Sequence, residues 1–195
     1  MLDNNNQITQ LVEQIKTGDK ASMEQLVDHF YGDIFRMVYY RVPSQMDAED
    51  LTQDIFMRMI KSVPKLKDSR LLRPWLFRLA VNRIRDFYRK KSILSFFGST
   101  KETDVEAHVA PASHSDPTTN IIHKEFELQL RKFSESLSRW EREVFILRFL
   151  DQLELNEIVK IVKKNENTVK THLYRALKKL RRNSELKSLL LGEES

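Results

Sequence analysis

The sequence contains no cysteine, only four glycines and five prolines, and no long apolar run among its 195 residues. Without cysteine, disulfides and thiolate chemistry are excluded, which suits a reducing cytoplasm. The scarcity of glycine and proline disfavours a β-rich fold, which needs more turn residues. No stretch approaches the roughly 18 apolar residues of a membrane span, and the polar start MLDNNNQITQ is unlike a signal peptide. We therefore expect an all-α, cytoplasmic protein with no membrane insertion.

The positive charge is concentrated in two blocks of the chain. Residues 58–91 hold twelve basic and two acidic side chains, and residues 160–182 hold nine basic and one acidic. These blocks carry +10 and +8, so the rest of the chain must carry −13 to give the net charge of +5. A single basic block is often a solvated helix face. Two separate blocks in an otherwise acidic chain indicate two contacts with one long polyanion.

Helical periodicity runs through the first ninety residues and returns near residue 121. Gly18 is expected to end a first helix and Asp19 to cap the next. A third helix should begin near Asp47 and end at Pro64. The intervening composition, rich in Ser, Thr and Ala, predicts a flexible linker. We predict two small helical domains at 1–91 and 120–184, a linker at 92–119 and a tail at 185–195.

The first basic block ends in the run RPWLFRLAVNRIRDFYRKK at residues 73–91. Its apolar residues recur at helical spacing, while the other positions are almost all cationic. Aromatic rings and cations on one helix suit single-stranded nucleic acid, because bases stack and phosphates pair. Trp75 fits such stacking, although core packing is the more common role. Asn82 can read a base edge, and an internal hydrogen bond is an equally good explanation.

The second basic block reads as a helix-turn-helix at residues 153–182. Leu155, Ile158 and Val162 supply the buried side of the first short helix, and Asn165 can cap the second. The turn KKN has no glycine, so Asn165, or less comfortably Lys163, must adopt a left-handed conformation. A second helix with polar residues early and cations later suits a major groove. An ordinary helical hairpin with a basic face is the plainer alternative.

No set of residues predicts an enzyme, a metal site or a cofactor. The five histidines lack ligand spacing, and there is no glycine-rich phosphate loop. Four acidic residues lie close together near the start of the predicted third helix: Asp47, Glu49, Asp50 and Asp54. A magnesium site is a poor explanation for them, because such sites gather carboxylates in a cleft with substrate phosphates. We expect the protein to have no activity of its own.

Four segments together resemble extracytoplasmic-function sigma factors of the sigma-70 family, through their regions 2 and 4. They are DAEDLTQDIF (47–56), WLFRLAVNRIRDFYRKK (75–91), REVFILRFLDQLELNEI (142–158) and NTVKTHLYRALKKLR (167–181). They occur in the family's order and span most of the chain. Lys163 and Asn167 stand where the family often has glycine, and Ser138 stands near a usual proline. These departures concern the turn geometry and the −35 sequence preference.

The resemblance implies a role for each segment. The first domain would bind the RNA polymerase core and would recognise and melt −10 DNA, while the second would recognise −35 DNA. The core-binding residues would be Glu49, Asp50, Gln53, Asp54 and Arg58. The −10 contacts would be Lys65, Lys67, Ser69, Arg70, Arg73, Trp75, Arg78, Asn82, Arg83 and Arg85. The −35 contacts would be Asn167, Lys170, Thr171, Tyr174, Arg175 and Lys178, with Lys179 also expected near phosphates.

The resemblance also implies partners. The protein would act with RNA polymerase core and promoter DNA, would be monomeric when free, and would be captured by an anti-sigma factor. The rival hypothesis is a stand-alone helix-turn-helix regulator, which would dimerise on a palindrome. It explains the second basic block but leaves the first without a role. A purely protein-binding adaptor is a third class, and it would bind without strong dependence on salt.

Overall fold

The computed structural model describes residues 2–97, 129–130 and 132–183, with side chains described for 6–90 of the first range. Every regular element in these residues is a helix. The chain divides into two compact units, Met1–His108 and Val109–Ser195. The predicted all-α class with two small domains is thereby confirmed. The predicted linker beyond residue 97 and the predicted tail lie outside the described residues.

The described part of the first unit, residues 2–97, has four helices and a loop with two short 3₁₀ turns. The helices are α1 (Leu2–Lys16), α2 (Lys20–Tyr39), α3 (Gln45–Ser62) and α4 (Leu72–Phe97). The 3₁₀ turns, Val63–Lys65 and Ser69–Leu71, lie between α3 and α4. Helix α4 therefore continues six residues past the predicted end of the first domain.

Local signals explain where these helices begin and end. Gly18 has a φ of +97°, the left-handed conformation that glycine adopts most easily after a helix. Asp19 then caps α2 by accepting bonds from the amides of Ala21 and Ser22. Helix α3 begins two residues before the predicted Asp47, because the Ser44 hydroxyl caps it by accepting from the Asp47 amide at 3.1 Å.

The first unit is held by one apolar core to which all four helices contribute. Ile8, Leu11, Val12 and Ile15 of α1 are buried, and α2 is one unbroken helix of 20 residues. Fully buried side chains include Val12 on α1, Phe30 on α2, Ile55 on α3 and Phe77 on α4. Burying one such side chain stabilises the fold by roughly 1.5–3 kcal/mol. The core thus fixes both the acidic face of α3 and the basic face of α4.

Between residues 132 and 183 the second unit contains a helical segment at 132–136 and three helices. These are α5 (Arg139–Phe149), α6 (Leu155–Val162) and α7 (Glu166–Leu180). Leu130, Phe133, Leu137, Phe145 and Ala176 form its core cluster, in which the Phe133 and Phe145 rings meet edge-to-face at 5.2 Å.

Helix α5 begins with a capping box. The Ser138 amide donates to Glu141 Oε2 at 2.9 Å, and the Glu141 amide donates to the Ser138 hydroxyl at 3.5 Å. Ser138 stands near the position where the resemblance led us to expect proline. A serine cap is a different way to begin a helix at the same place.

The α6–α7 turn has the predicted helix-turn-helix form, with the left-handed residue assigned differently. Lys163 adopts φ 54° and ψ 44°, while Asn165 is extended at φ −69° and ψ 157°. The preference for Asn165 as the left-handed residue is therefore wrong. Asn165 is instead needed as the cap of α7, where its side-chain oxygen accepts from the Thr168 amide at 2.7 Å. A residue that caps a helix must be extended, so the left-handed step falls on Lys163.

Candidate nucleic-acid interface

Helix α7 presents a polar and basic face to solvent, opposite its buried residues Val169 and Ala176. All six residues predicted to contact −35 DNA are exposed on this face: Asn167, Lys170, Thr171, Tyr174, Arg175 and Lys178. The Tyr174 side chain stands well out, with 64% of its surface exposed. The helix therefore offers hydrogen-bonding groups, an aromatic ring and cations from one surface.

Two contacts within α7 involve this face and are weak enough to be exchanged for DNA. Lys170 Nζ lies 2.6 Å from Glu166 Oε1, and both side chains are more than half exposed. Exposed pairs of this spacing contribute only about 0.3–0.5 kcal/mol. The Thr171 hydroxyl donates to the Asn167 carbonyl at 2.8 Å, which still leaves its oxygen available as an acceptor.

Lys179 does not belong to this face. Its Nζ donates to Glu141 Oε2 at 2.8 Å and to the Ser136 carbonyl at 3.1 Å. The hydrogen bond from Lys179 lowers the pKa of Glu141, whose side chain is buried. Lys179 thus has a structural role, and its expected contact with phosphates stays a prediction. It joins the end of α7 to the start of α5.

One contact at the helix-turn-helix turn was not predicted from the sequence. Lys164 Nζ lies 4.5 Å from the centre of the Trp140 ring on α5. This is a cation–π distance, worth about 0.5–1 kcal/mol at an exposed site. The contact ties the turn to α5 and so helps to hold α7 in place.

The acidic face of α3 carries four exposed side chains that were predicted to bind polymerase: Glu49, Asp50, Gln53 and Arg58. The fifth, Asp54, is only partly exposed and is held by two arginines. Arg58 Nε lies 3.1 Å from Asp54 Oδ2, and Arg83 Nε of α4 lies 2.6 Å from the same oxygen. Burial alone would raise the pKa of Asp54, but the bonds from Arg83 and Arg58 lower it below its ordinary value.

Arg83 is the centre of a line of charges that joins α3 to α4. Besides Asp54, it contacts Asp86 Oδ2 at 3.1 Å, and Asp86 in turn contacts Arg89 at 3.0 Å. Only 16% of the Arg83 side chain is exposed. Arg83 was predicted to contact DNA and Asp54 to contact polymerase. In this structure the two side chains contact each other, and both roles stay predictions.

The remaining predicted −10 residues differ in exposure. Lys65, Lys67, Arg70 and Asn82 are exposed, and Arg73, Trp75, Arg78 and Arg85 are partly buried. Within the described residues the Asn82 side chain makes no hydrogen bond, so the internal-bond explanation for it is not supported. Arg70 is 78% exposed and pairs with Asp68 at 3.0 Å, and Arg73 lies over the Phe77 ring at 5.2 Å. Trp75 is partly buried, so its side chain contributes to the core and also reaches the surface.

Ser69 differs from the other loop residues because it is buried and faces α1. Its hydroxyl donates to the Glu13 carboxylate and accepts from Lys16 Nζ at 3.0 Å. Side-chain contact between Ser69 and DNA would require these bonds to break. Neither Glu13 nor Lys16 was identified from the sequence, since the loop lies more than fifty residues further along the chain.

The described ranges contain neither a metal-ligand cluster nor a membrane-spanning helix. Between residues 2 and 183, leaving aside the undescribed parts, no three His, Cys, Asp or Glu side chains are grouped as metal ligands would be. None of the helices in the described ranges combines the length and the apolar character needed to cross a membrane.

Family models match both units. Sigma-70 region 2 matches residues 26–93, and Sigma-70 region 4 matches residues 127–180. Together the two matches cover more than half of the chain, in the order that the sequence predicted. The chain belongs to the sigma-70 family, as a sigma factor of the extracytoplasmic-function type. Its exposed α7 face lies within the region 4 match, whereas α1 lies before the region 2 match.

Similar sigma factors occur in distant bacteria. The ECF RNA polymerase sigma factor BldN of Streptomyces coelicolor is 27% identical over 174 residues, covering 89% of this chain and 64% of BldN. The RNA polymerase sigma factor SigV of Bacillus subtilis is 28% identical over 171 residues, covering 85% of this chain and 93% of SigV. This chain therefore spans less than two thirds of BldN but nearly all of SigV.

Two solved structures share the fold. CnrH, in complex with the cytosolic domain of CnrY, has a TM-score of 0.64 at 19% identity and covers 96% of this chain and 99% of its own. RpoE, in complex with the anti-sigma factor NepR from Bartonella quintana, has a TM-score of 0.62 at 21% identity and covers 88% and 98%. At these identities the likeness concerns the fold.

Proposed function

We propose that this sigma factor binds the RNA polymerase core and directs promoter-specific initiation, reading −10 DNA with its first unit and −35 DNA with its second. The observation that carries the proposal is the α7 face, where six polar, aromatic and cationic side chains project from one helix while its opposite side is buried. This is the arrangement a recognition helix needs to enter a major groove.

The first unit is suited to a different form of DNA. Opening a duplex without a chemical energy source requires the unpaired bases to find new stacking and hydrogen-bonding partners. The exposed amide of Asn82, the partly buried Trp75 and the loop cations Lys65, Lys67 and Arg70 supply such groups. Stacking on an aromatic side chain is worth roughly 1–3 kcal/mol per base. The unit would thus hold the opened strand of the −10 element.

The acidic face of α3 is the proposed polymerase contact. Glu49, Asp50 and Gln53 are exposed there, and the negative charge of Glu49 and Asp50 repels nucleic acid. Since DNA cannot be their partner, a protein surface with complementary positive charge is the better fit. The polymerase carries out the chemistry, and the sigma factor itself would have no enzymatic activity.

An anti-sigma factor is the further partner that we propose. Both solved structures contain a second, bound protein, and one of those bound proteins is called an anti-sigma factor. Free protein would be a monomer that such a partner can hold away from polymerase. Its action on polymerase implies a cytoplasmic location.

The test is run-off transcription with purified core polymerase and a pool of genomic fragments from the host. We expect discrete start sites that depend on the added protein, with one shared upstream element near −10 and another near −35. If no transcripts appeared while the protein alone bound a palindrome as a dimer, the stand-alone regulator would replace this proposal.

A further inference from the structure

Helix α1 lies outside the matched region 2 residues, which begin at residue 26, yet it packs directly on the loop between α3 and α4. Its buried stripe of Ile8, Leu11, Val12 and Ile15 contributes to the core of the first unit. The loop, residues 63–71, carries the exposed cations proposed to meet −10 DNA. The helix that supports this loop is therefore placed to affect how DNA is read.

A polar cluster joins α1 to the loop, in addition to the apolar packing. Lys16 Nζ donates to Glu13 Oε1 at 2.9 Å and to Ser69 Oγ at 3.0 Å, and the Ser69 hydroxyl donates to the same Glu13 oxygen. The three side chains thus form a closed triangle, which we call the α1–loop lock. Ser69 is only 5% exposed, so its hydroxyl has little access to water.

The lock fixes the middle of the loop. At one end Val63 is buried, and at the other Leu72 is buried, so both ends are held by the core. Between them Lys67 and Arg70 flank Ser69 and point to solvent. A side chain that anchors the backbone between two exposed cations determines where those cations stand. The hydrogen bond from Ser69 also lowers the pKa of Glu13, in keeping with a carboxylate that remains charged as an acceptor.

We propose that Glu13, Lys16 and Ser69 are positioning residues for −10 recognition: they hold the 63–71 loop in the conformation that distinguishes one −10 sequence from another. The inference rests on the proposed function, since it assumes that this loop reads −10 DNA. None of the three need touch DNA. Misplacement of a contact group by even about 1 Å weakens interactions that depend on exact geometry.

The experiment compares variants on a promoter pool with a fixed −35 element and a randomised −10 element, using core polymerase and the full chain. Glu13→Ala and Ser69→Ala each open the lock. Alanine is the best helix former, so Glu13→Ala leaves α1 intact. Glu24→Ala, at an exposed carboxylate on α2, is the matched control. Transcripts are sequenced to give the relative use of each −10 sequence, and polymerase binding and thermal unfolding are measured on the same preparations.

We expect both lock variants to change the ratio between preferred and disfavoured −10 sequences by about three- to tenfold, the size expected for the net contribution of one ordinary hydrogen bond that positions a group. The control should leave the ratio unchanged. The double variant Glu13→Ala with Ser69→Ala should shift the ratio no further than the stronger single variant, because both changes open the same triangle.

Three results would overturn the inference. The first is an unchanged −10 ratio in lock variants that still bind polymerase. The second is a uniform loss of transcription from all −10 sequences, which would mean that the triangle only stabilises the fold. The third concerns the wild-type protein: if it showed no −10 preference, the proposed function itself would fail, and the inference with it.

Discussion

Asp54 and Arg83, which are 29 positions apart in sequence, are joined by a contact of 2.6 Å between helices α3 and α4. The pair links the proposed polymerase-binding face to the proposed DNA-binding helix. Because Arg83 also holds Asp86, its guanidinium satisfies two carboxylates at once. We interpret Arg83 as a residue that sets the relative position of the two helices.

Replacing Arg83 by alanine should lower the free energy of unfolding by about 1–2 kcal/mol, because hydrogen bonds to charged groups are lost and Asp54 remains without its inward partner. Arg58→Ala is the matched control, because it removes the other arginine that contacts Asp54. The Arg58 side chain is 49% exposed, so its loss should lower the free energy of unfolding by less than about 0.5 kcal/mol. Urea denaturation measures both. A different result would favour direct contact between Arg83 and DNA. In that case both variants would lower the stability slightly and equally, and only Arg83→Ala would strongly weaken binding to −10 DNA.

Asp50→Arg should abolish binding to core polymerase while leaving the fold unchanged. Asp50 is exposed on α3, so the substitution alters the sign of the charge at the surface and disturbs no core packing. Glu24→Arg on α2 makes the same charge change away from this face and should bind normally. Co-purification with polymerase and circular dichroism together measure the effect. Intact co-purification of Asp50→Arg would remove Asp50 from the proposed interface.

Helical periodicity was sufficient to predict the two-domain, all-helical fold and the exposed face of α7. The reason is that burial of Val169 and Ala176 at helical spacing also determines which residues point outward. Periodicity could not predict which side chains meet across helices. The Asp54–Arg83 and Glu13–Ser69 contacts depend on how α1, α3 and α4 pack, and residues far apart in sequence give no local signal of such pairing.

The same limit applies to Lys179. Position on a basic helix predicted a phosphate contact, but packing of α7 against α5 brings it to Glu141. The choice of Asn165 rather than Lys163 as the left-handed residue was wrong for a different reason. Two residues competed for one left-handed position, and the cap requirement of α7 decided between them.

Lys170→Ala should weaken −35 recognition without affecting the melting of DNA. Lys170 is exposed near the start of α7, where its only resolved partner, Glu166, is an exposed residue of the same helix. We expect reduced transcription from a duplex promoter that depends on its −35 element, and normal activity on a template opened beforehand around −10. Lys132→Ala, an exposed lysine before α5, is the control. Equal loss on both templates would mean that the recognition helix is misassigned.

The Glu141–Lys179 pair predicts a pH dependence for the second unit. Its partner lysine lowers the folded-state pKa of Glu141 below the ordinary value of 4.5. At Glu141 the unfolded chain therefore binds a proton more readily than the folded chain does. The contribution of the Glu141–Lys179 pair to the free energy of unfolding is thus fully present above about pH 4.5, and it is lost as pH falls through the lower folded-state pKa. In a Trp75→Phe background, Trp140 fluorescence follows unfolding of the second unit alone. In the variant Lys179→Met, the free energy of unfolding of the second unit should depend less on pH between about pH 5 and 3. An identical pH profile with and without Lys179 would contradict the pairing.

Lys163→Gly should stabilise the second unit by about 0.5–1 kcal/mol. A left-handed conformation costs a non-glycine residue roughly 1–2 kcal/mol, and glycine removes that cost while losing more freedom on folding, so part of the gain is offset. Lys164→Gly is the matched control, because Lys164 lacks the positive φ and lies over the Trp140 ring; that change should destabilise the unit. Thermal and urea unfolding, followed by Trp140 fluorescence in the Trp75→Phe background, give both values. Destabilisation by Lys163→Gly would show that the side chain of Lys163 contributes more to the turn than its backbone conformation costs.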